Sequence, residues 1–126
     1  MTGKPRILVV DDEKIVCDMS RKCLSEDGYD VTTYTDSTEA WRALEQESFD
    51  VVITDLKMKG IDGMKLLEFA RRQNPDSRVI MLTAFGSLET AAEAMRKEAF
   101  DYLTKPVRIS DLRASVRRAL GLEAEV

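Results

Sequence analysis

The chain has 126 residues, 44% hydrophobic and 33% charged, which predicts one soluble globular domain with a hydrophobic core of its own. A net charge of −4 argues against nucleic acid as the main partner, because phosphate binding needs a basic surface. No apolar run approaches the ~18 residues of a membrane span, and Met1 to Arg6 lack the apolar core of a signal peptide, so no membrane association and a cytoplasmic location are expected.

The elements follow in order. Residues 6–10 read as a strand that runs into Asp11 and Asp12. Residues 14–27 read as a helix with Ile15, Val16, Met19, Cys23 and Leu24 on its inner side, stopped near Gly28. Cys17 and Cys23 fall in this one helix. Their Cα atoms would lie about 9 Å apart, too far for a disulfide, so both are expected to be small core residues. Val31 to Tyr34 is a short strand, and Asp36-Ser37-Thr38-Glu39 carries a capping-box pattern for a helix reaching about Gln46. Its apolar residues are Ala40, Trp41, Ala43 and Leu44.

Residues 51–54 form an apolar, β-branched strand that ends in Asp55, the pattern of a strand buried on both faces. A loop from Lys57 to Asp62 leads through Gly63 into a helix with Met64, Leu67 and Ala70 inward, ended by Asn74-Pro75-Asp76. Residues 79–82 are a strand running into Thr83, and Ser87 caps a helix through Lys97. Residues 100–103 are a weaker strand, followed by Thr104-Lys105-Pro106. The last helix covers about 109–120, with Ile109, Leu112, Val116 and Leu120 spaced for one face, and Gly121 ends it.

Five β-α units predict an α/β fold: a flavodoxin-like (βα)5 domain with a five-stranded parallel sheet in order 2-1-3-4-5 and helices on both faces. In that order the first and third strands are neighbours at the switch point, which brings Asp11, Asp12 and Asp55 together. Thr83 and Lys105 follow the fourth and fifth strands at the same edge.

Three neighbouring carboxylates repel, and a hard divalent cation relieves them; Mg2+, or Mn2+ in its place, takes such oxygen ligands. A lysine supplies a point charge for phosphoryl oxygens and a threonine a hydrogen bond. Together these groups suit phosphoryl transfer to a carboxylate nucleophile, with Asp55 as the reactive centre. Each residue alone has an ordinary explanation. Asp12 could simply cap the next helix, Asp55 could be a solvated loop acid, Thr83 a turn hydroxyl and Lys105 a surface cation. Their joint placement after four strands is what points to a site. With no histidine in the chain, a His-based triad, a His-ligated metal and a phosphohistidine carrier are all excluded within it.

The motifs ILVVDDE (7–13), VVITDLKM (51–58), the Gly63 turn, MLTA (81–84) and FDYLTKP (100–106) resemble the receiver domain of bacterial two-component response regulators. The resemblance spans residues 6–120, leaving 121–126 as a tail or the start of a linker. It is strongest, from Thr83 to Pro106, with receivers of nitrogen-regulator-type transcriptional activators. It implies that Asp55 is the phosphoacceptor and that Asp11, Asp12, Asp55 and the backbone carbonyl of Lys57 hold Mg2+. It also implies that Thr83 and Lys105 contact the phosphoryl group, that Tyr102 changes rotamer on activation, and that Lys105-Pro106 is cis. Lys57 and Phe85, by position, are expected to tune dephosphorylation. The partners implied are a sensor histidine kinase, an output domain or effector, and a second copy of the domain after phosphorylation.

Two departures stand out. Lys59 replaces a common Pro, so a looser loop after Asp55 is expected. Glu98 replaces a common Gly, so the fourth helix is expected to lack its left-handed cap. A Mg2+-dependent aspartyl phosphatase is the competing enzyme reading. Such enzymes place a second acid two residues after the nucleophile, where this chain has Lys57. A degenerate interaction module is the other alternative, and the complete acid, threonine and lysine set argues against it.

Overall fold

The computed structural model describes residues 3–84 and 86–122; the tuning position Phe85 and most of the C-terminal tail lie outside the described residues. The elements are β1 (Arg6–Val10), α1 (Lys14–Glu26), β2 (Asp30–Tyr34), α2 (Ser37–Gln46), β3 (Val51–Thr54), α3 (Gly63–Gln73), β4 (Arg78–Thr83), α4 (Leu88–Arg96), β5 (Asp101–Thr104) and α5 (Ile109–Ala119). All strands are parallel, in the order β2-β1-β3-β4-β5. The expected fold and topology are therefore those observed.

Side-chain alternation along the three central strands builds two cores. Leu8, Val10, Val52, Val79 and Met81 point to one face and meet α2, α3 and Ala94 of α4. Ile7, Val9, Val51, Ile53, Ile80 and Leu82 point to the other and meet α1 and α5. Because both faces are covered, β1 from Ile7 onward, all of β3 and β4 from Val79 onward are buried residue after residue. That double burial holds the carboxyl ends of the strands, where the acids sit, in fixed positions.

Five details differ from the sequence reading. Ile15 is 76% exposed rather than inward. The buried stripe of α1 is Cys17, Ser20, Cys23 and Leu24, and at 100° per residue Ile15 falls across the helix from it. Ile109, in the first turn of α5, is also exposed. At α2 the Asp36 side chain accepts from the Thr38 amide at 2.9 Å; the reciprocal capping box forms instead at α4, between Ser87 and Thr90.

The fourth difference concerns Glu98. It adopts the left-handed conformation itself, with φ at 70°. Its amide donates to Met95 O at 3.0 Å and the Ala99 amide donates to Ala94 O at 2.9 Å, a full Schellman cap with no glycine. A left-handed non-glycine residue costs of order 1–3 kcal/mol; the Glu98 carboxylate pairs with Arg71 of α3 at 2.8 Å, and such a half-exposed pair returns only about 0–1 kcal/mol of it. A second α3–α4 ion pair joins Glu68 to Lys97.

The loop after Asp55 is also tied down. The Ser37 hydroxyl donates to Lys59 O at 2.7 Å and accepts from the Ile61 amide at 2.9 Å, so α2 pins the segment that the missing proline was expected to loosen. Cys17 and Cys23 are both free thiols, and both are buried.

Candidate functional site

Asp11 follows β1, Asp55 follows β3, and the two strands are paired. Backbone hydrogen bonds continue past the strand ends: the Asp55 amide donates to Val10 O at 3.0 Å and the Asp11 amide to Tyr34 O at 3.1 Å. The sheet itself therefore fixes both acids. Asp11 and Asp55 are only 1% and 3% exposed, whereas Asp12 is exposed at the rim. One carboxylate oxygen from each of Asp11, Asp12 and Asp55 lies within 4.8 Å of the others.

Lys105, after β5, reaches into this cluster. Its Nζ stands 2.7 Å from Asp11 Oδ2, 2.9 Å from Glu13 Oε1 and 3.1 Å from Asp55 Oδ2. Burial works against the ammonium, but the three carboxylates outweigh it and hold Lys105 above the ordinary lysine range. Burial likewise pushes the Asp11 carboxyl up, against the pull of Lys105 and of the Glu13 amide, which donates to Asp11 Oδ1 at 2.9 Å. The Leu56 amide donates to Asp55 Oδ1 at 2.6 Å.

With Glu13 the cluster carries four acids against one lysine. Such an excess of hard oxygen donors fits a divalent cation of the Mg2+ type, and Asp11, Asp12 and Asp55 are the residues placed to take it.

Thr83 is fully buried at the end of β4, and the Lys105 amide donates to its carbonyl at 3.0 Å. The β4–β5 register pairs Met81 with Tyr102 and Thr83 with Thr104. By strand alternation Thr83 and Tyr102 therefore share one sheet face on adjacent strands. Tyr102 is half-buried, its hydroxyl 2.9 Å from Thr90 Oγ1 of α4. The Lys105-Pro106 peptide is cis. Lys57 is exposed on the loop beyond Asp55.

The structure thus brings Asp11, Asp12, Asp55 and Lys105 into one cluster, with Thr83 behind it on β4. Two contributors had no role in the sequence reading. Glu13 is one; its carboxylate meets a lysine 92 positions away, and its adjacency to the Asp pair is the sole local hint. The other is the packing of Gly63. A Cβ there would overlap the Asp55 carbonyl oxygen and come within 2.8 Å of Leu56 Cα, so the first turn of α3 can close on Asp55 only through glycine. Beside the cluster, Ile15, Val16, Met19, Leu82, Pro106 and Val107 line an apolar groove of about 400 Å³.

A doubly covered parallel sheet with two acid-tipped neighbouring strands at its switch point and a lysine reaching back to them defines the class. It is a flavodoxin-like domain with an acidic pocket, suited to a cation, at the carboxyl edge. The model of the response regulator receiver domain family matches residues 7–117, and the chain belongs to that family.

Curated relatives include the response regulator protein PilR of Pseudomonas aeruginosa, 35% identical over 95% of this chain and 27% of its own length. The transcriptional regulatory protein ZraR of Escherichia coli K12 is 36% identical over 91% of this chain and 26% of its length. The chain therefore spans about a quarter of the length of these relatives. Among solved structures, a CheY-like receiver domain from Methanospirillum hungatei superposes with a TM-score of 0.90 at 31% identity, covering 94% of this chain and 95% of that one. The receiver domain dimer of NtrC4, activated by beryllofluoride, gives 0.86 at 33%, covering 92% and 96%. The latter agrees with the expected likeness to receivers of nitrogen-regulator-type activators. Among the described residues no helix is long and apolar enough to cross a membrane.

Proposed function

We propose that this domain is a phosphorylation switch in which Asp55 accepts a phosphoryl group from the phosphohistidine of a partner sensor kinase. The observation that carries the reading is the buried Asp55 carboxylate, held on the central strand and paired with Lys105 among further acids. In the transfer an Asp55 carboxylate oxygen bonds to phosphorus, the phosphorus–nitrogen bond breaks, and the imidazole leaves with the electron pair. The donor imidazole must come from the partner, since this chain has no histidine.

Mg2+, or Mn2+, held by Asp11, Asp12, Asp55 and the Lys57 backbone carbonyl, would neutralise charge on the phosphoryl oxygens. Lys105 takes one of those oxygens and the Thr83 hydroxyl another by a charge-assisted hydrogen bond. Thr83 drawn inward leaves room behind it, and Tyr102, on the same sheet face, turns into that space. The readout surface is then α4, β5 and α5, which docks a second copy of the domain or an output domain. Exposed Leu88 and Met95 on α4 supply apolar area for that contact. Lys57 and Phe85, two residues after Asp55 and Thr83 in the sequence, set the phosphoryl lifetime.

Transcriptional control is the output that the relative ZraR, a transcriptional regulatory protein, supports, and a cytoplasmic site of action goes with it. Residues 6–120 form the phosphoacceptor core. The domain is a stoichiometric acceptor, not a turnover enzyme, because Lys57 stands where an aspartyl phosphatase would place its second acid.

Incubation with acetyl phosphate and Mg2+ followed by intact-mass measurement tests this. One alkali-labile phosphoryl group is expected on wild type and none on Asp55→Asn. Steady hydrolysis of a small phosphomonoester, or equal modification of the variant, would contradict it.

A further inference from the structure

Glu13 stands at the N-cap position of α1, yet its side chain makes no capping hydrogen bond. It turns instead to Lys105, with Oε1 2.9 Å from Nζ. An ammonium has three donors, and here they meet three carboxylates: Asp11, Glu13 and Asp55. An incoming phosphoryl oxygen can gain Lys105 only if one of these contacts is given up. Asp11 and Asp55 are buried and fixed by the sheet. The Glu13 side chain is 58% exposed and sits at the rim of the pocket. It is the contact that costs least to release, and its charge also repels an anionic donor.

We propose that Glu13 is a positioning residue that occupies Lys105 in place of the phosphoryl group, so that its charge restrains phosphoryl acceptance. This rests on the phosphoacceptor reading of Asp55 and adds a restraint on that same site. While unphosphorylated, the domain keeps Lys105 aimed at Asp55 but fully engaged. Once a phosphoryl group arrives, Lys105 exchanges Glu13 for it, and Glu13 swings into solvent.

The test compares wild type, Glu13→Gln and Glu13→Asp in three measurements. The first is the rate of modification by acetyl phosphate with saturating Mg2+. The second is beryllofluoride affinity from NMR titration. The third is Mg2+ affinity by calorimetry with no phosphoryl compound present. Glu13→Gln is expected to react ~3- to 10-fold faster and to bind beryllofluoride tighter by a similar factor, the size of one partly screened charge a few ångström away. The gain should shrink as salt is raised. Glu13→Asp, which keeps the charge, should stay near wild type. The Mg2+ affinity of Glu13→Gln should fall about threefold at most, because a charge outside the metal's shell acts only at a distance.

If Glu13→Gln accepts phosphoryl no faster than wild type, the inference is overturned. A tenfold or larger loss of Mg2+ affinity would make Glu13 a metal ligand instead and overturn it equally. If wild type itself is never modified at Asp55, the phosphoacceptor reading has failed first; that outcome is distinct from a wild type that reacts at the same rate as Glu13→Gln.

Discussion

The acidic pocket and the α4–β5 face share one sheet but are held in opposite ways. In the pocket, Asp11 and Asp55 extend buried strands, and three carboxylates converge on Lys105 within 3.1 Å. On the face, α4 buries one residue, Ala94, where α3 buries four. Tyr102 is tied to it by one hydroxyl pair with Thr90. Yet α4 is well formed locally, with a capping box at its start and a Schellman cap at its end. A helix that is capped at both ends but shallowly packed moves as a unit at little cost, whereas the pocket cannot move without breaking the sheet. The acids thus sit in a fixed place, while α4 is the more shallowly seated element.

Two glycines give the strongest way to break that contrast. Gly63 lies against backbone in the pocket, and its Cβ would come within 2.9 Å of the Asp55 carbonyl carbon. Gly86 lies against the Tyr102 ring, with Cβ contacts of 3.0 and 3.1 Å to ring carbons. Gly63→Ala should cost about 2–3 kcal/mol in urea unfolding, as overpacking against immobile atoms does. Gly86→Ala should cost under about 1 kcal/mol, because the ring can swing away. Equal costs would remove the distinction between a rigid and a yielding region.

The charge stored in the pocket should be visible in metal-free protein. Burial raises the Asp11 carboxyl in the folded state. Folding therefore favours its protonated form, and the penalty of the charged form is absent below the unfolded pKa of ~3.9 and develops as pH rises through the folded value. Asp11→Asn should be more stable than wild type at neutral pH, with the gap closing as pH falls toward the unfolded carboxylate value. A variant less stable than wild type at pH 7 would mean that the lysine contact outweighs the repulsion. On the face, Tyr102→Phe removes one hydroxyl contact and should cost only about 0.5–1 kcal/mol. A larger loss, read from the same unfolding curves, would mean that the face is as tightly built as the pocket.

Much of this was legible in the chain because burial and charge alternate sharply. Apolar runs ending in Asp11-Asp12 and Asp55, with Thr83 and Lys105 after later strands, mark both the sheet and its functional edge. What was not legible depends on long-range geometry. Ile15 is apolar, but which stripe of α1 meets the sheet is set by the packing of the whole fold, and Ile15 lies across the helix from that stripe. Glu98 has no local signal for a left-handed turn; its partner Arg71 lies on another helix. The pin from Ser37 to Lys59 and Ile61 spans more than 20 positions, and the Glu13–Lys105 pair spans 92. Contacts of this kind follow from the fold, not from spacing.

In the proposed switch, Thr83 carries the state of the pocket to Tyr102 and α4. A coupling of this kind is a two-state equilibrium that phosphate shifts only by its differential affinity for the two states. The most direct test records amide chemical shifts across residues 84–120, together with sedimentation, for wild type and Thr83→Ala, each with and without beryllofluoride and Mg2+. Wild type should show large shifts through α4, β5 and α5 and a change in sedimentation. Thr83→Ala should still bind the mimic at the pocket yet respond much less on the face. Responses of equal size in both proteins would contradict the route through Thr83.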